Sequence, residues 1–417
     1  MEVRDGFRNT ELGRLPNDWR VDQLGSLNPF VTSGSRGWAR YYADRGAPFV
    51  RITNLSRGSI YLDLSDLKLV SLPAEDREGL RTQLQVGDLL VSITADIGII
   101  GYVDPHVPEP AYINQHIALV RCDPNAADTK FLAHFLASEH PQRAFRAGTD
   151  QGAKAGMNLA GVLKIRAAFP AVYEQRVIAT ALSDVDALLN GLDQLIAKKR
   201  DLKQAAMQQL LTGQTRLPGF RGGWEVKRLG DVATFHKGKG LPKSALSPYG
   251  SEPCVHYGEL FTQYGVSIRE TINRTNKAPG EFRSIANDVL MPTSDVTPRG
   301  LAKASCVLAD DVVLGGDILV IRTDPSQISG TFLSHVIRRE DDQVLRLVTG
   351  STVFHLYGAD MKKFAFKLPL LAEQQAIVGV LFDMDAELAA LEARRAKTRD
   401  LKQATMQELL TGRTRLV

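Results

Sequence analysis

A segment of 44 residues occurs twice in this chain, and this internal repeat constrains the fold more than any other feature. Residues 174–217 align with residues 373–416 without a gap, at a constant offset of 199 positions. The two copies are identical at 26 of the 44 positions, whereas composition alone predicts roughly three identities in such a window. The chain therefore contains a duplication, and a protein with two equivalent halves is typical of recognition of a target that also has two halves.

Weaker similarity extends the repeat beyond these residues. Arg14-Leu15-Pro16 precedes Trp19, and Arg216-Leu217-Pro218 precedes Trp224. The order along the chain is therefore variable segment, shared segment, variable segment, shared segment. We divide the sequence into variable segments 1–170 and 214–369 and shared segments 171–213 and 370–417.

The shared segments predict two long helices. Apolar residues recur at alternating spacings of four and three, which is a heptad seam. In the first copy these are Ile178, Leu182, Val185, Leu189, Leu192 and Ile196, and in the second Ile377, Leu381, Met384, Leu388 and Leu391. Pro170 and Pro369 lie just upstream, where helices begin. Gly213 and Gly412 supply left-handed stops, so each helix of about 38 residues spans roughly 57 Å.

Two matched seams in one chain favour packing of the two helices against each other. The alternative is a separate amphipathic helix lying on each variable segment. The first helix runs into the second variable segment, and the first variable segment begins with the same kind of lead-in. The chain thus resembles a circle opened at one point, and we predict an antiparallel coiled coil with pseudo-two-fold symmetry.

The variable segments predict mixed, strand-rich domains, so the fold class is α+β. Short β-prone runs stand between Gly, Pro and Asp turns. The strand candidates are Pro48–Ile52, Leu89–Ile93, Ile117–Arg121, Val289–Met291 and Asp317–Arg322. The helix candidates are Lys130–Phe145 and Phe332–Arg339.

Composition excludes several classes of protein. Hydrophobic residues make up 44% and charged residues 24%, as in ordinary soluble globular proteins. The three cysteines, Cys122, Cys254 and Cys306, are far apart and odd in number, which argues against a disulfide framework and fits a reducing cytoplasm. We expect no membrane span and no signal peptide.

The sequence offers little catalytic chemistry. It lacks the Asn-Pro-Pro-Tyr or Asp-Pro-Pro-Tyr word of amino-methyltransferases and any Gly-x-Gly-x-x-Gly nucleotide motif. Lys237-Gly238-Lys239-Gly240 weakly resembles a phosphate loop, but Pro242 replaces the glycine expected before the lysine. We interpret it as a basic turn near DNA phosphate. His134 and His335 lack metal-ligand spacing and are predicted to be buried structural histidines. No cofactor and no metal are expected.

Clusters of basic residues interleaved with aromatic and amide side chains favour DNA binding over a merely solvated charged surface. Arg and Lys neutralise phosphates, while Arg, Asn and Gln also pair with base edges. In the first variable segment the candidates are Arg36, Arg40, Arg51, Asn54, Arg57, Asn114, Gln115 and Lys154. In the second they are Lys237, Lys239, Lys243, Arg299 and Lys303.

The whole chain resembles the specificity subunit of type I restriction-modification systems. The resemblance covers nearly all 417 residues and depends on several sequence motifs, each of which is weak evidence alone. They are Leu15-Pro16-x-x-Trp19-x-Val21-x-x-Leu24-Gly25, Pro-x-x-x-Glu-Gln at 170–175 and 369–374, Gly-Asp-Leu-Leu at 87–90, and Leu-Leu-Thr-Gly at the end of each helix.

This resemblance implies two target recognition domains, each reading one half of a split, asymmetric site in double-stranded DNA. The two helices would act as a ruler and dock two adenine methyltransferase subunits, and nuclease-translocase subunits would join that core. The subunit itself would not be an enzyme. We assign partner docking to Glu174, Gln175, Leu210, Glu373, Gln374 and Leu409.

Three alternatives remain open at this stage. They are a DNA-binding subunit of a related system whose methylation and cleavage partners are fused, a scaffold that joins two protein partners without DNA, and a cryptic enzyme. The bases read, the spacer length and the presence of active partners do not follow from the sequence, because readout depends on loop side chains and DNA deformation.

Overall fold

The computed structural model describes residues 6–34, 36–73, 77–149, 156–276 and 281–417. The chain forms two compact units: Met1–Asp193 with Ala393–Val417 is the first unit, and Gln194–Glu392 is the second unit. Each unit therefore holds one variable segment together with half of each long helix. The spatial units cut across the four sequence segments, whose boundaries remain a prediction.

The two predicted long helices are present. They run from Val172 to Leu210 and from Leu371 to Leu409, and each has 39 residues. Beyond their ends, Gly213 and Gly412 have left-handed φ angles of 72° and 66°, as a glycine stop requires. At 1.5 Å per residue each helix is about 58 Å long.

The helices pair antiparallel within each unit. In the first unit Asp186 bonds Lys402 at 2.5 Å, while Asp193, farther along the first helix, bonds Arg395, which lies earlier in the second. In the second unit Lys199 pairs with Glu387 and Lys203 with the earlier Asp385. The heptad residues Leu182, Leu192 and Leu381 are buried. The predicted antiparallel coiled coil is confirmed.

The first unit has two four-stranded sheets. Its main sheet has the strand order Phe30–Ser33, Ile117–Arg121, Leu89–Ser92 and Ile100–Tyr102, all antiparallel. Its small sheet has the order Tyr112–Ile113, Ala47–Val50, Lys68–Val70 and Tyr42–Ala43. Two strand pairs complete the unit, Phe7–Thr10 with Gly13–Pro16 and Arg20–Gln23 with Arg166–Phe169. Its shorter helices are Leu24–Leu27, Trp38–Tyr41, Ile52–Asn54, Arg77–Thr82, Thr129–Ala137, Glu139–Thr149 and Leu159–Leu163.

The second unit has a similar plan, with five strands in its main sheet. Its main sheet has the order Ala233–Lys237, Ile318–Thr323, Val289–Pro292, Ser305–Val307 and Ser267–Ile268. Its small sheet has the order Asn273–Thr275, Glu252–Val255, Val313–Leu314 and Phe282–Arg283. Glu225–Arg228 pairs with Ala365–Leu368, and Ser294–Asp295 pairs with Phe354–His355. Its shorter helices are Leu229–Val232, Lys243–Ala245, Glu259–Thr262, Pro298–Ala302, Gly330–Arg339, Asp341–Leu345 and Gly358–Met361.

The central strands are apolar along their whole length because both faces of each main sheet are covered. Leu89 and Val91 lie in one core with Phe131, whereas Leu90, between them, lies in a second core with Leu119. In a strand, successive side chains point to opposite faces, so one run supplies both cores. This explains why the sequence shows continuous apolar runs instead of alternation.

The predicted strands and helices are largely confirmed, with one clear difference. The predicted helix Lys130–Phe145 is two helices, Thr129–Ala137 and Glu139–Thr149, separated at Ser138, whose backbone is extended. The cause is Pro141, which lacks an N–H group and in one continuous helix would clash with the carbonyl four residues earlier. Among the described residues, no helix is long and apolar enough to cross a membrane.

Candidate nucleic-acid interface

The predicted basic cluster of the first unit is held on a short turn that is pinned to the small sheet. Trp38 is 1% exposed and stacks on Phe49 with ring centroids 5.5 Å apart. The exposed Arg36 and Arg40 flank it, and Arg40 lies over the Tyr41 ring at 4.7 Å. A buried aromatic anchor therefore fixes a turn whose cations point to solvent.

Glycines mark both ends of this turn. We call residues 34–46 the first arm; residue 35 lies outside the described residues. A Cβ atom at Gly34 would clash with the carbonyl oxygen of Ile113, and one at Gly46 with that of Val70. Only glycine allows the backbone to lie this close to the ends of two strands, so both ends of the arm are fixed against the small sheet.

The second unit has an arm of the same length, residues 238–250. A Cβ atom at Gly238 would clash with the carbonyl oxygen of Gly315, and one at Gly250 with the backbone of Thr275. Leu241 is the apolar anchor and packs with Cys254 and Val313. Lys239 and Lys243 are exposed, and Tyr249 is 93% exposed.

The two arms occupy equivalent places in the two units. Each arm begins directly after a strand of the main sheet, Phe30–Ser33 or Ala233–Lys237. Each arm ends just before a strand of the small sheet, Ala47–Val50 or Glu252–Val255, that pairs in parallel with a neighbouring strand. Equivalent backbone bonds frame them: Asn114 N donates to Val50 O at 3.0 Å, and Gly315 N donates to Val255 O at 2.9 Å. The word that weakly resembled a phosphate loop is thus the counterpart of the arginine-rich turn.

Other predicted residues of the first unit make internal bonds. Asn54 is 2% exposed; its side chain accepts from Arg51 N at 2.9 Å and donates to the carbonyls of Asp63 at 2.9 Å and Asp66 at 3.1 Å. Asn114 is 7% exposed and accepts from His116 N at 3.1 Å. The side chains of both amides thus hold loops of the first unit together.

The remaining candidates differ in whether their side chains bond to other groups of the protein. Arg51 donates to Asp66 O at 3.0 Å, Arg57 bonds Gln142 and Asp96, and the Gln115 amide lies 3.1 Å from the His116 ring. In the second unit, Lys237 pairs with Asp317 at 3.3 Å and Arg299 with Asp341 at 2.9 Å, while Lys303 is half-buried. Arg299 and Lys303 line a polar cleft of about 570 Å³. Lys154 lies outside the described residues.

Residues assigned to partner docking form a buried junction in each unit instead. Glu174 is 2% exposed and accepts from Arg415 at 2.7 Å; Glu373 is 1% exposed and accepts from Arg216 at 2.6 Å. Sequence reasoning missed both arginines. Their signal was present, because Thr-Arg-Leu stands at the same place in the two copies of the repeat.

The other docking candidates are also internal. Gln175 accepts from Asp128 N at 2.9 Å and donates to Pro170 O at 2.8 Å, and Gln374 makes the equivalent bonds with Ser329 and Pro369 at 2.8 Å. Leu210 and Leu409 lie within the cores of their units. All six side chains therefore bond or pack inside their own unit.

His134 and His335 are buried, as predicted, at 0% and 3% exposure. Burial lowers the pKa of His134 to about 3, with the nearby Lys402 adding to the effect. Burial likewise lowers the pKa of His335 to about 4, with Lys203 as the next cause. Both rings are therefore neutral near pH 7. Among the described residues, no group of His, Cys, Asp and Glu is arranged to hold a metal ion.

Comparison with known proteins identifies the family. The model of the type I restriction modification DNA specificity domain matches twice, at residues 18–199 and at residues 221–398. The chain belongs to this family. Each match covers most of one variable segment and the first part of the long helix that follows it. The chain therefore carries two specificity domains and two target recognition domains, and the predicted resemblance is confirmed.

Relatives extend the similarity over the full length. The putative type I restriction enzyme MjaX specificity subunit of Methanocaldococcus jannaschii is 22% identical over 99% of this chain and 97% of its own length. The S subunit of a type I restriction-modification system from M. genitalium has a TM-score of 0.58 at 14% identity, covering 98% of each chain. A chain from a study of assembly and conformational transition of a type I system has a TM-score of 0.53 at 18% identity, covering 96% of this chain and 99% of its own. The two structures support the specificity-subunit fold.

Proposed function

We propose that this chain is the subunit that gives a type I restriction-modification complex its DNA sequence specificity. Each unit reads one half of a split, asymmetric site. The main support is that the two units share a similar plan of a main sheet and a small sheet while their exposed arms differ in sequence. Helices of about 58 Å are long enough to hold half-sites roughly 34 Å, or one turn of DNA, apart.

The partners we propose are two adenine methyltransferase subunits, with nuclease-translocase subunits joining that core. The chain supplies no catalytic group of its own to the complex. Leu202 and Leu401 are candidate docking residues because they stand at equivalent positions in an identical five-residue block, yet are 47% and 59% exposed. An exposed leucine repeated in both copies supports the same kind of partner binding twice. The three buried free cysteines support a cytoplasmic location.

The central experiment is reconstitution with the methyltransferase subunit of the same system. The purified complex is incubated with S-adenosylmethionine and genomic DNA, and modified adenines are mapped by sequencing. We expect one gapped, asymmetric motif, no modification by either subunit alone, and DNA binding that weakens steeply with salt. Modification by the isolated chain, or salt-insensitive or absent DNA binding by an active complex, would contradict the proposal and favour an enzyme or a scaffold.

Docking is tested by two matched variants, Leu202→Asp and Leu401→Asp. Each places a charge on an exposed side chain that the fold does not need, so the chain should remain folded. We expect each variant to bind one methyltransferase subunit instead of two, and the double variant to bind none, as measured by native mass spectrometry. If both single variants still bind two subunits, docking lies elsewhere on the helices.

A further inference from the structure

We propose that the first and second arms are the segments that enter the DNA and determine which bases are read, each within its own half-site. The inference rests on the proposed function and deepens it, because it places specificity in two segments of 13 residues. It depends on three features of the arms: an anchored frame, uncompensated positive charge, and contents that differ between the units.

The frame is anchored at equivalent places in both units, although the first arm also contributes the strand Tyr42–Ala43 to its small sheet. The glycines at both ends lie against strand ends where a side chain does not fit. Between them a buried anchor, Trp38 in the first arm and Leu241 in the second, packs on the small sheet. A segment held at its ends and its middle has less backbone freedom to lose on binding than a loop held only at its ends.

The arms carry charge that the protein does not neutralise. None of the five arm cations, Arg36, Arg40, Arg45, Lys239 and Lys243, forms an ion pair among the residues that the structure describes. Most predicted cations outside the arms behave differently. Arg51, Arg57, Lys237 and Arg299 pair with carboxylates, whereas the half-buried Lys303 has no ion pair among the described residues. Each arm has two more basic than acidic residues. Such charge on a fixed turn suits phosphates and the acceptor edge of guanine.

The contents of the arms differ although their frames agree. The first arm presents arginines and the half-exposed Tyr42, while the second presents lysines and the exposed Tyr249. Arginine is a planar, two-pronged donor and lysine a point charge. Arms that are anchored alike but carry different exposed side chains suit two readers of different bases, because the fold is kept while the contact chemistry changes.

The test uses the full chain in complex with its methyltransferase partner. One variant combines Arg36→Ala with Arg40→Ala, and the other combines Lys239→Ala with Lys243→Ala. All four side chains are exposed, so the variants should fold. The substrates are the duplex with the complete gapped site and two duplexes in which one half-site is replaced.

We expect each variant to methylate the complete site about tenfold to one hundredfold more slowly than the parent. The first variant should no longer distinguish the complete site from the duplex with one of the half-sites replaced, yet still reject the other duplex. The second variant should show the opposite pattern. The controls are Lys164→Ala and Lys363→Ala, exposed lysines at equivalent positions outside the arms, which should stay within about twofold of the parent.

A second pair of variants tests the frame while keeping every cation. Gly34→Ala and Gly238→Ala displace an arm from its strand end, so each should weaken the same half-site as the alanine pair in its own arm. Circular dichroism shows which glycine variants remain folded. The alanine pairs decide the question if they do not.

Two results would overturn the inference while leaving the proposed function intact. In one, both alanine pairs behave like the controls in a complex that methylates the gapped site. In the other, either pair weakens both half-sites equally. A parent complex that methylates no gapped site would instead remove the proposed function, and this inference with it.

Discussion

The junction between helix and recognition domain is built in both units from the same residues, but not in the same way. Glu373 accepts from Arg216 at 2.6 Å and from the Trp224 ring at 3.2 Å. Glu174 accepts from Arg415 alone, which also donates to Asp18 at 3.1 Å, and among the described residues the Trp19 ring nitrogen has no partner.

The sequence distances differ as well. Arg415 and Glu174 are 241 positions apart, whereas the equivalent Arg216 and Glu373 are 157 apart. In the second unit the helix leads directly into the residues of the junction, and in the first unit the same junction is assembled from distant parts of the chain. The comparison shows that side-chain bonds, and not chain continuity, define this joint.

The largest expected effect on stability concerns two equivalent salt bridges that differ in how exposed they are to solvent. Lys402 and Asp186 are 12% and 11% exposed, while Lys203 and Asp385 are 22% and 45% exposed. Lys402→Ala should lower the free energy of unfolding by about 3 kcal/mol because it strands a buried carboxylate. Lys203→Ala should cost about 1 kcal/mol because water reaches Asp385. Urea unfolding measures both, and equal losses would show that burial does not distinguish the pairs.

The junction arginines should give the next effect. Arg415→Ala should lower the free energy of unfolding by about 2 kcal/mol, reduced from the value for a fully buried pair because the arginine is 36% exposed. Arg216→Ala should cost less, since Glu373 keeps its bond from Trp224. The matched control is Arg413→Ala, whose exposed contact with Glu408 at 3.9 Å should change stability by less than about 0.5 kcal/mol. A larger loss for Arg216→Ala would reverse our ranking of the junctions.

The two buried histidines should make the stability of the parent more sensitive to acid than that of variants without them. Their folded-state pKa values, about 3 for His134 and about 4 for His335, lie below the ordinary 6.5. Their stabilising contribution is therefore complete above pH 6.5 and is lost as the pH falls toward those values. Each contributes up to about 1.4 kcal/mol per pH unit. Unfolding at about pH 7 and about pH 5 should show a weaker pH dependence in His134→Leu and His335→Leu; unchanged dependence would mean that other groups control it.

Sequence reasoning succeeded where a pattern repeats over many residues. The heptad spacing of Leu182 and Leu192 predicted the long helices and their pairing, and the matching positions of His134 and His335 predicted buried rings. The break between two helices at Ser138 was not predicted, although Pro141 in the sequence indicates it. Local patterns decide such features, because helix periodicity and proline geometry act within a few residues.

The site was harder to predict because it depends on long-range contacts. Gly34 meets Ile113 and Gly238 meets Gly315, and no spacing rule reveals such contacts. Identity between the repeats also does not separate docking residues from packing residues. Glu174 and Glu373 are identical because both hold a junction, and sequence identity alone does not distinguish a residue that packs from one that binds.

The equal length of the two arms has an evolutionary consequence. Because both run from glycine to glycine over 13 residues, a genetic exchange with its breakpoints at those glycine codons would preserve the reading frame and leave both anchoring contacts in place. The exchange would also have to fit the buried anchor to its new surroundings, because Trp38 packs with Phe49 and Val70 whereas the smaller Leu241 packs with Cys254 and Val313.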